Sequence, residues 1–209
     1  MDNEEIKKVF LSAVRVVLVP QDWGSDDLIR REYLDLSKVY CVMDGEKGIF
    51  LKNEILKNGL FTEDELDGAA MWNTQDTIVG EPIYKKIMRL AGQMDSFVSE
   101  EADSKDLAVM KDLYVFTSED IKFGGAALLY PERFFELASE VDSDLILIPS
   151  SIHEIIAVQA SSRLSADINE MIREVNAEEV EENEQLSDHA YYYDYQQTGA
   201  IRIMEGAPA

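Results

Sequence analysis

The stretch Asp144-Leu-Ile-Leu-Ile-Pro-Ser-Ser-Ile-His-Glu-Ile-Ile-Ala-Val158 sets two apolar runs on either side of a Pro-Ser-Ser corner. Their β-branched content and the turn residues between them read as two neighbouring extended segments of one sheet. Pro149 has no amide donor, so it ends or edges the first strand, Leu145 to Ile148. Ser150 and Ser151 can fold their hydroxyls onto nearby amides, which makes them natural corner residues. Ile152 to Val158 then returns as the second strand.

Working outward, Leu113-Tyr-Val-Phe-Thr117 reads as a strand, and the polar segment Ser118 to Lys122 as its turn. Phe123-Gly-Gly-Ala-Ala-Leu-Leu-Tyr130 is expected to return beside it. Pro131 opens a helix, Glu132 to about Glu140, with Phe134, Phe135, Leu137 and Ala138 inward. Beyond the corner, Ile168, Met171, Ile172 and Val175 mark a second amphipathic helix. The order β-β-α-β-β-α implies the α+β class: a mostly antiparallel sheet with helices packed on one face.

The first half predicts a helix from Asn3 to Leu11, a strand from Val14 to Val19, a loop from Gln21 to Asp27, and a strand from Leu34 to Met43. Asp44-Gly45 and Gly48 supply hairpin chemistry into Ile49-Phe50-Leu51. Thr62 and Glu65 have capping-box spacing, flanked by Phe61 and Leu66 as a hydrophobic staple, so a helix should run from there to about Asn73. Gly80-Glu81-Pro82 places proline at a first helical position, and Ile83, Ile87, Leu90 and Met94 form one stripe facing a core. The chain thus divides into an N-terminal α/β half (1–94), an acidic connection (95–111), a C-terminal α+β half (112–188) and a tyrosine-rich tail (189–209), with a single domain as the alternative.

Charge narrows the function. The chain has 209 residues, 46% of them hydrophobic, with 42 acidic against 19 basic residues and a formal net charge of -23. Such a surface repels phosphate, which disfavours direct nucleic-acid binding and docking on anionic lipid. Neither a signal peptide nor an apolar run of about 20 residues is present, so a cytoplasmic location and no membrane are expected. The lone Cys41, inside Val39-Tyr-Cys-Val42, excludes an intrachain disulfide and reads as a small core residue.

If Ser151 to Val158 is extended, Ser151 and His153 share a face. A functional reading makes Ser151 a nucleophile or ligand donor, His153 its base, and Glu154 or a remote acid the orienting group. That needs hydroxyl and imidazole within about 3 Å, whereas alternate strand residues stand about 6–7 Å apart at the backbone. No G-x-S-x-G elbow surrounds either serine, and a structural corner is the stronger reading, with a ligand contact through Ser150 and His153 next. His153 and His189 are the only imidazoles and neither has H-E-x-x-H spacing, so no metal site is expected. Gly124-Gly125 lacks the company of a phosphate-binding loop, so no cofactor is expected, and the pair reads as a bulge or a close backbone approach in a strand.

The tail is unusual. Between Arg173 and Arg202 there is no lysine or arginine while carboxylates accumulate, and Tyr191-Tyr-Tyr-Asp-Tyr195 follows. Amphipathic rings at Tyr191, Tyr193 and Tyr195 either pack back on the domain or meet a partner, with a basic protein favoured by charge. Mimicry of DNA by rows of carboxylates is a further alternative.

Several pieces resemble an uncharacterised bacterial domain-of-unknown-function family: Tyr33-Leu-Asp-Leu36, Thr62 to Leu66 with Ala69-Ala70 and Asn73-Thr74, Leu113 to Thr117, Gly125-Ala-Ala127, Leu147-Ile-Pro-Ser-Ser-Ile-His-Glu154, Val175-Asn176, and Leu186-Ser-Asp188 leading into the tyrosines. The P-S-S-I-H-E run is the specific one. The chain departs from that pattern in having Ser118 where asparagine is common and little of an additional N-terminal segment. The resemblance implies no activity. The reading is therefore a non-enzymatic binding or interaction module whose contact surface joins the Pro149-to-Glu154 corner to the tyrosine-rich tail; a small hydrolase centred on Ser151, His153 and Glu154, and an acidic DNA mimic, are the alternatives.

Overall fold

A computed structural model of the chain describes residues 2–45, 47–93, 112–119, 122–160 and 168–204. The expected acidic connection and Met94 lie outside these residues. Helix α1 (Asn3–Ala13) starts at Asp2, whose carboxylate accepts the Glu5 N–H while the Glu5 carboxylate accepts the Asp2 N–H. Strand β1 (Val14–Pro20) follows without a loop. Val14, Val16, Val17, Leu18 and Val19 are fully buried, because β1 is held between helix α2 (Glu63–Gln75) and a 3-10 helix (Gly124–Leu129). A near-continuous apolar run is what a strand covered on both faces requires.

β1 pairs antiparallel with β3 (Leu36–Asp44). Along the other edge of β3, β2 (Arg30–Tyr33) and β4 (Lys47–Phe50) lie end to end, against Leu36 to Val39 and Cys41 to Asp44. The Asp44-Gly45 hairpin forms with Gly45 at φ 61°, a conformation glycine adopts without a Cβ penalty. The strand expected from Leu34 begins instead at Leu36, and β2 is an addition to the sequence reading. Leu34 stands at φ 53° in the two-residue β2–β3 turn, a geometry its side chain does not advertise. Cys41 is fully buried, and burial pushes its thiol up to about 12.

The capping box of α2 is complete: Thr62 Oγ1 accepts the Glu65 N–H at 3.2 Å and Glu65 Oε2 accepts the Thr62 N–H at 2.9 Å. Phe61 and Leu66 are both buried beside it. The segment Gly80-Glu81-Pro82 does not open a helix. It belongs to β5 (Ile78–Pro82), and α3 (Ile83–Gln93) starts one residue later. Proline is acceptable there because β5 is an edge strand. Ile87 of the supposed core stripe is 43% exposed.

The larger sheet has six strands in the order β10 (Ala200–Ile203), β9 (Tyr191–Asp194), β7 (Leu145–Ser151), β8 (Glu154–Gln159), β6 (Leu113–Ser118), β5, and every neighbouring pair is antiparallel. The chain is therefore α+β. Phe123 to Tyr130 does not return as a strand; Gly124 to Leu129 coil into the 3-10 helix with all six residues buried. A short uninterrupted apolar run reports burial, not strand or helix, and here burial on all sides favoured the compact turn.

Helices cover both faces of this sheet, because β7 is apolar on both. Leu145 and Leu147 join the main core with Phe134 and Leu137 of α4 (Glu132–Val141), while Ile146 packs with Ile168 and Ile172 of α5 (Ile168–Glu179). Phe135, expected inward, is 55% exposed and meets only the Tyr195 ring edge-on among aromatic neighbours. The main core runs unbroken from Val14 through Tyr40, Leu66 and Phe134 to Tyr193 and Ile201. Among the described residues no helix is long and apolar enough to cross a membrane.

Candidate functional site

The Pro-Ser-Ser-Ile-His-Glu corner is the turn of the β7–β8 hairpin. β7 runs through Pro149 to Ser151, the register shifts there, and Ser151 faces Glu154 across the two-residue loop Ile152-His153. The expected face shared by Ser151 and His153 therefore does not exist, since one ends β7 and the other lies in the loop. Ser151 Oγ accepts the His153 backbone N–H at 3.0 Å, which closes the turn.

The His153 imidazole points elsewhere. Its Nδ1 donates to the Lys122 carbonyl, its Nε2 lies 3.4 Å from Glu184 Oε1, and its ring rests 5.6 Å from that of Phe123. Both nitrogens face acceptors, so neither is left to take a proton from Ser151. Glu154 is ion-paired with Lys86 of α3. These three residues are neighbours with three separate tasks.

The glycine pair belongs to the same unit. The Gly125 N–H donates to Ile152 O at 3.0 Å, and the Ile152 N–H donates to Glu184 O at 2.8 Å. A Cβ on Gly124 would collide with the His153 carbonyl and the Thr117 Cα, and one on Gly125 would lie 2.8 Å from Ile152 O. The pair is a close backbone approach, in a 3-10 helix and not a strand: the helix passes directly beneath the hairpin loop. Ser150 lines an apolar groove of about 300 Å³ that includes Ile148, Met171 and Val175.

A second imidazole corner went unread in the sequence. His189 Nε2 lies 2.8 Å from Asp35 Oδ2, its Nδ1 is 3.1 Å from Ala190 O, and the Tyr191 hydroxyl donates to Asp35 Oδ1 at 3.0 Å. Asp35 is delivered by the β2–β3 turn, 154 residues away in sequence from His189, and no local spacing announces that meeting. Burial, then the Asp35 charge, pushes the Tyr191 hydroxyl far above its usual range, although Ser187 pulls the other way.

Within the tyrosine-rich segment, Tyr191–Asp194 form β9 and Ala200–Ile203 form β10. Tyr191 is fully buried and Tyr193 is 2% exposed, so these rings belong to the core. The Tyr192 hydroxyl donates to Asp144 Oδ2 at 2.7 Å, and its ring carries Arg202 at 4.3 Å. Tyr195 packs on Phe135. Among the described residues no three histidine, cysteine, aspartate or glutamate side chains converge as a metal site would need.

The opposite end of the sheet differs. The Glu119 N–H donates to Thr77 O at 3.0 Å, and the register continues as Val79 with Thr117 and Glu81 with Val115. Alternate residues of an antiparallel strand bond to opposite sides. Ile78 and Gly80 therefore turn their N–H and C=O groups away from β6, and no backbone group among the described residues meets them. A cleft of about 640 Å³ follows this edge, walled by Tyr84 and Lys85 of α3 and by Arg133, Glu136 and Glu140 of α4.

Over residues 26–195 the chain matches a family of unknown function, DUF5688. It belongs to that family. The family span takes in both imidazole corners, the glycine pair and the β5 edge, and leaves out α1, β1 and β10. No curated protein and no solved structure matches the chain.

Proposed function

We propose that the protein acts by holding another polypeptide and not by catalysing a reaction. One observation carries this reading: Ile78 and Gly80 leave a backbone hydrogen-bonding edge open beside a sizeable cleft. A cleft of 640 Å³ lies within the range of roughly 300–1,000 Å³ common to binding pockets.

The hydrolase reading loses support from the corner's geometry. Ser151 Oγ is engaged by a backbone N–H, and His153 offers its serine neighbour no nitrogen. The DNA-mimic reading needs carboxylates left free in a row, yet Glu63, Asp64 and Asp67 converge on Arg31, and Asp67 also holds Lys38. The net charge of -23 favours a basic partner through long-range steering.

The test is selection of random twelve-residue peptides on the immobilised full chain. Enrichment of a shared sequence motif is the expected result. Covalent labelling of Ser151 by a fluorophosphonate, with loss of labelling in Ser151→Ala, would replace this reading with the hydrolase one.

A further inference from the structure

Resting on that binding reading, we propose that the open edge of β5 receives an extended peptide as an added antiparallel strand, with a lysine or arginine opposite Gly80. The argument starts from the edge itself. Ile78 and Gly80 each present an N–H and a C=O to the cleft, so a guest strand can exchange paired bonds with both residues. An exposed sheet edge with unpaired groups is a template for another extended chain unless side chains obstruct it.

At the centre of this edge nothing obstructs. Gly80 has no side chain, and a Cβ there would stand 2.5 Å from the Phe116 ring, which lies directly across the pair and is itself packed against Phe134 at 4.4 Å between centroids, tilted by 50°. The aromatic ring fills the space under the glycine from the core side. The glycine leaves its own backbone uncovered on the cleft side, with no side chain of its own to stand between it and a guest strand.

The chemistry of that guest residue follows from the wall it meets. Side chains opposite one another in a sheet share a face, so the residue paired with Gly80 points toward α4. There Glu136 and Glu140 stand one helical turn apart, both exposed, and among the described residues no cation pairs with either. Arg133 of the same helix is engaged with Gln75 O at 2.6 Å and Asp76 Oδ1 at 3.1 Å, so it does not compete for them. Glu140 also helps burial to raise the Tyr114 hydroxyl. Lys85 of α3 also lines the cleft, but on the α4 wall a guest cation would meet two free carboxylates and a guest carboxylate would meet like charge.

The experiment uses the full chain and two capped seven-residue synthetic peptides that alternate threonine and valine, one with lysine at its centre and one with glutamate. Backbone amide hydrogen exchange by NMR is the readout. The lysine peptide should protect the Ile78 and Gly80 amides and leave Val79 and Glu81, already bonded to β6, unchanged. It should bind about tenfold more tightly than the glutamate peptide, and Glu136→Gln with Glu140→Gln should remove most of that preference without altering the fold. Binding that protects other amides overturns strand addition and leaves the binding reading standing. Failure of these peptides and of every selected peptide overturns both. Protection of Ile78 and Gly80 that grows with protein concentration alone assigns the edge to a second copy of the chain and overturns the proposal.

Discussion

The two ends of the six-stranded sheet differ in how their side chains are engaged and in what lies beside their edges. At the β9–β10 end, Tyr191 and Tyr192 are tied to Asp35 and Asp144, His189 is held by Asp35, and the turn after β9 is closed by Asp194, which accepts from Gln197 and Thr198. At the β5 end, Ile78 and Gly80 leave their backbone groups unmet beside a cleft. By composition the first end looks like the interface, with tyrosines in a run and charge all around. Aromatic and polar content measures what a surface is made of, while binding depends on what remains unsatisfied after folding. The tyrosine side chains are engaged, while Ile78 and Gly80 stay open beside a cleft.

Substitutions sharpen this contrast. The largest effect belongs to Tyr193→Ala, which empties a core position 2% exposed and should cost about 3–5 kcal/mol in denaturant unfolding. A contact residue at a partner interface would instead leave the isolated chain's stability nearly unchanged. Tyr191→Phe keeps the ring and removes only the hydroxyl bond to Asp35, so the expected loss is about 1.5–3 kcal/mol by the same measurement. Gly80→Ala forces a methyl toward the buried Phe116 ring and should cost about 1–3 kcal/mol, while also placing a side chain in the path of a guest strand.

Alkaline titration separates the ends by a different route. Burial first, then the bond to Asp144 and its charge, pushes the Tyr192 hydroxyl up to about 12, and Tyr191 is raised further. A tyrosine whose folded-state value is raised binds its proton more tightly when folded. Its contribution is therefore complete below the ordinary value near 10 and is lost as pH climbs from about 10 to 12. Absorbance at 295 nm should show tyrosinate appearing late and together with unfolding, and Tyr192→Phe should flatten the stability loss across that window. The smallest effect is at the open end: Glu136→Gln with Glu140→Gln should change stability by no more than about 0.5 kcal/mol, because both side chains are exposed and unpaired.

Local chemistry was legible residue by residue. The Thr62–Glu65 cap, the Asp44-Gly45 hairpin and the strand pair flanking Pro149 all rest on contacts within a few residues, and all formed. The misreadings share a cause. Gly124 to Leu129, Ile87 and Phe135 are apolar, and apolarity says that a residue tends to be covered without saying by what. Gly80-Glu81-Pro82 carries helix-start chemistry, yet its pairing with Val115 and Phe116 across more than thirty intervening positions placed it in a strand.

The sequence by itself determined the α+β class, the helix caps and turns, the corner before His153 and the acidic character, because each depends on near neighbours or on sums over residues. Only the tertiary structure decided that the Ser151 hydroxyl and the His153 imidazole face different partners, that Asp35 meets His189, that Tyr191 and Tyr193 are core and that a bare edge lies at Gly80. Those outcomes depend on which distant strands pair, and pairing partners are selected by the burial of the whole chain.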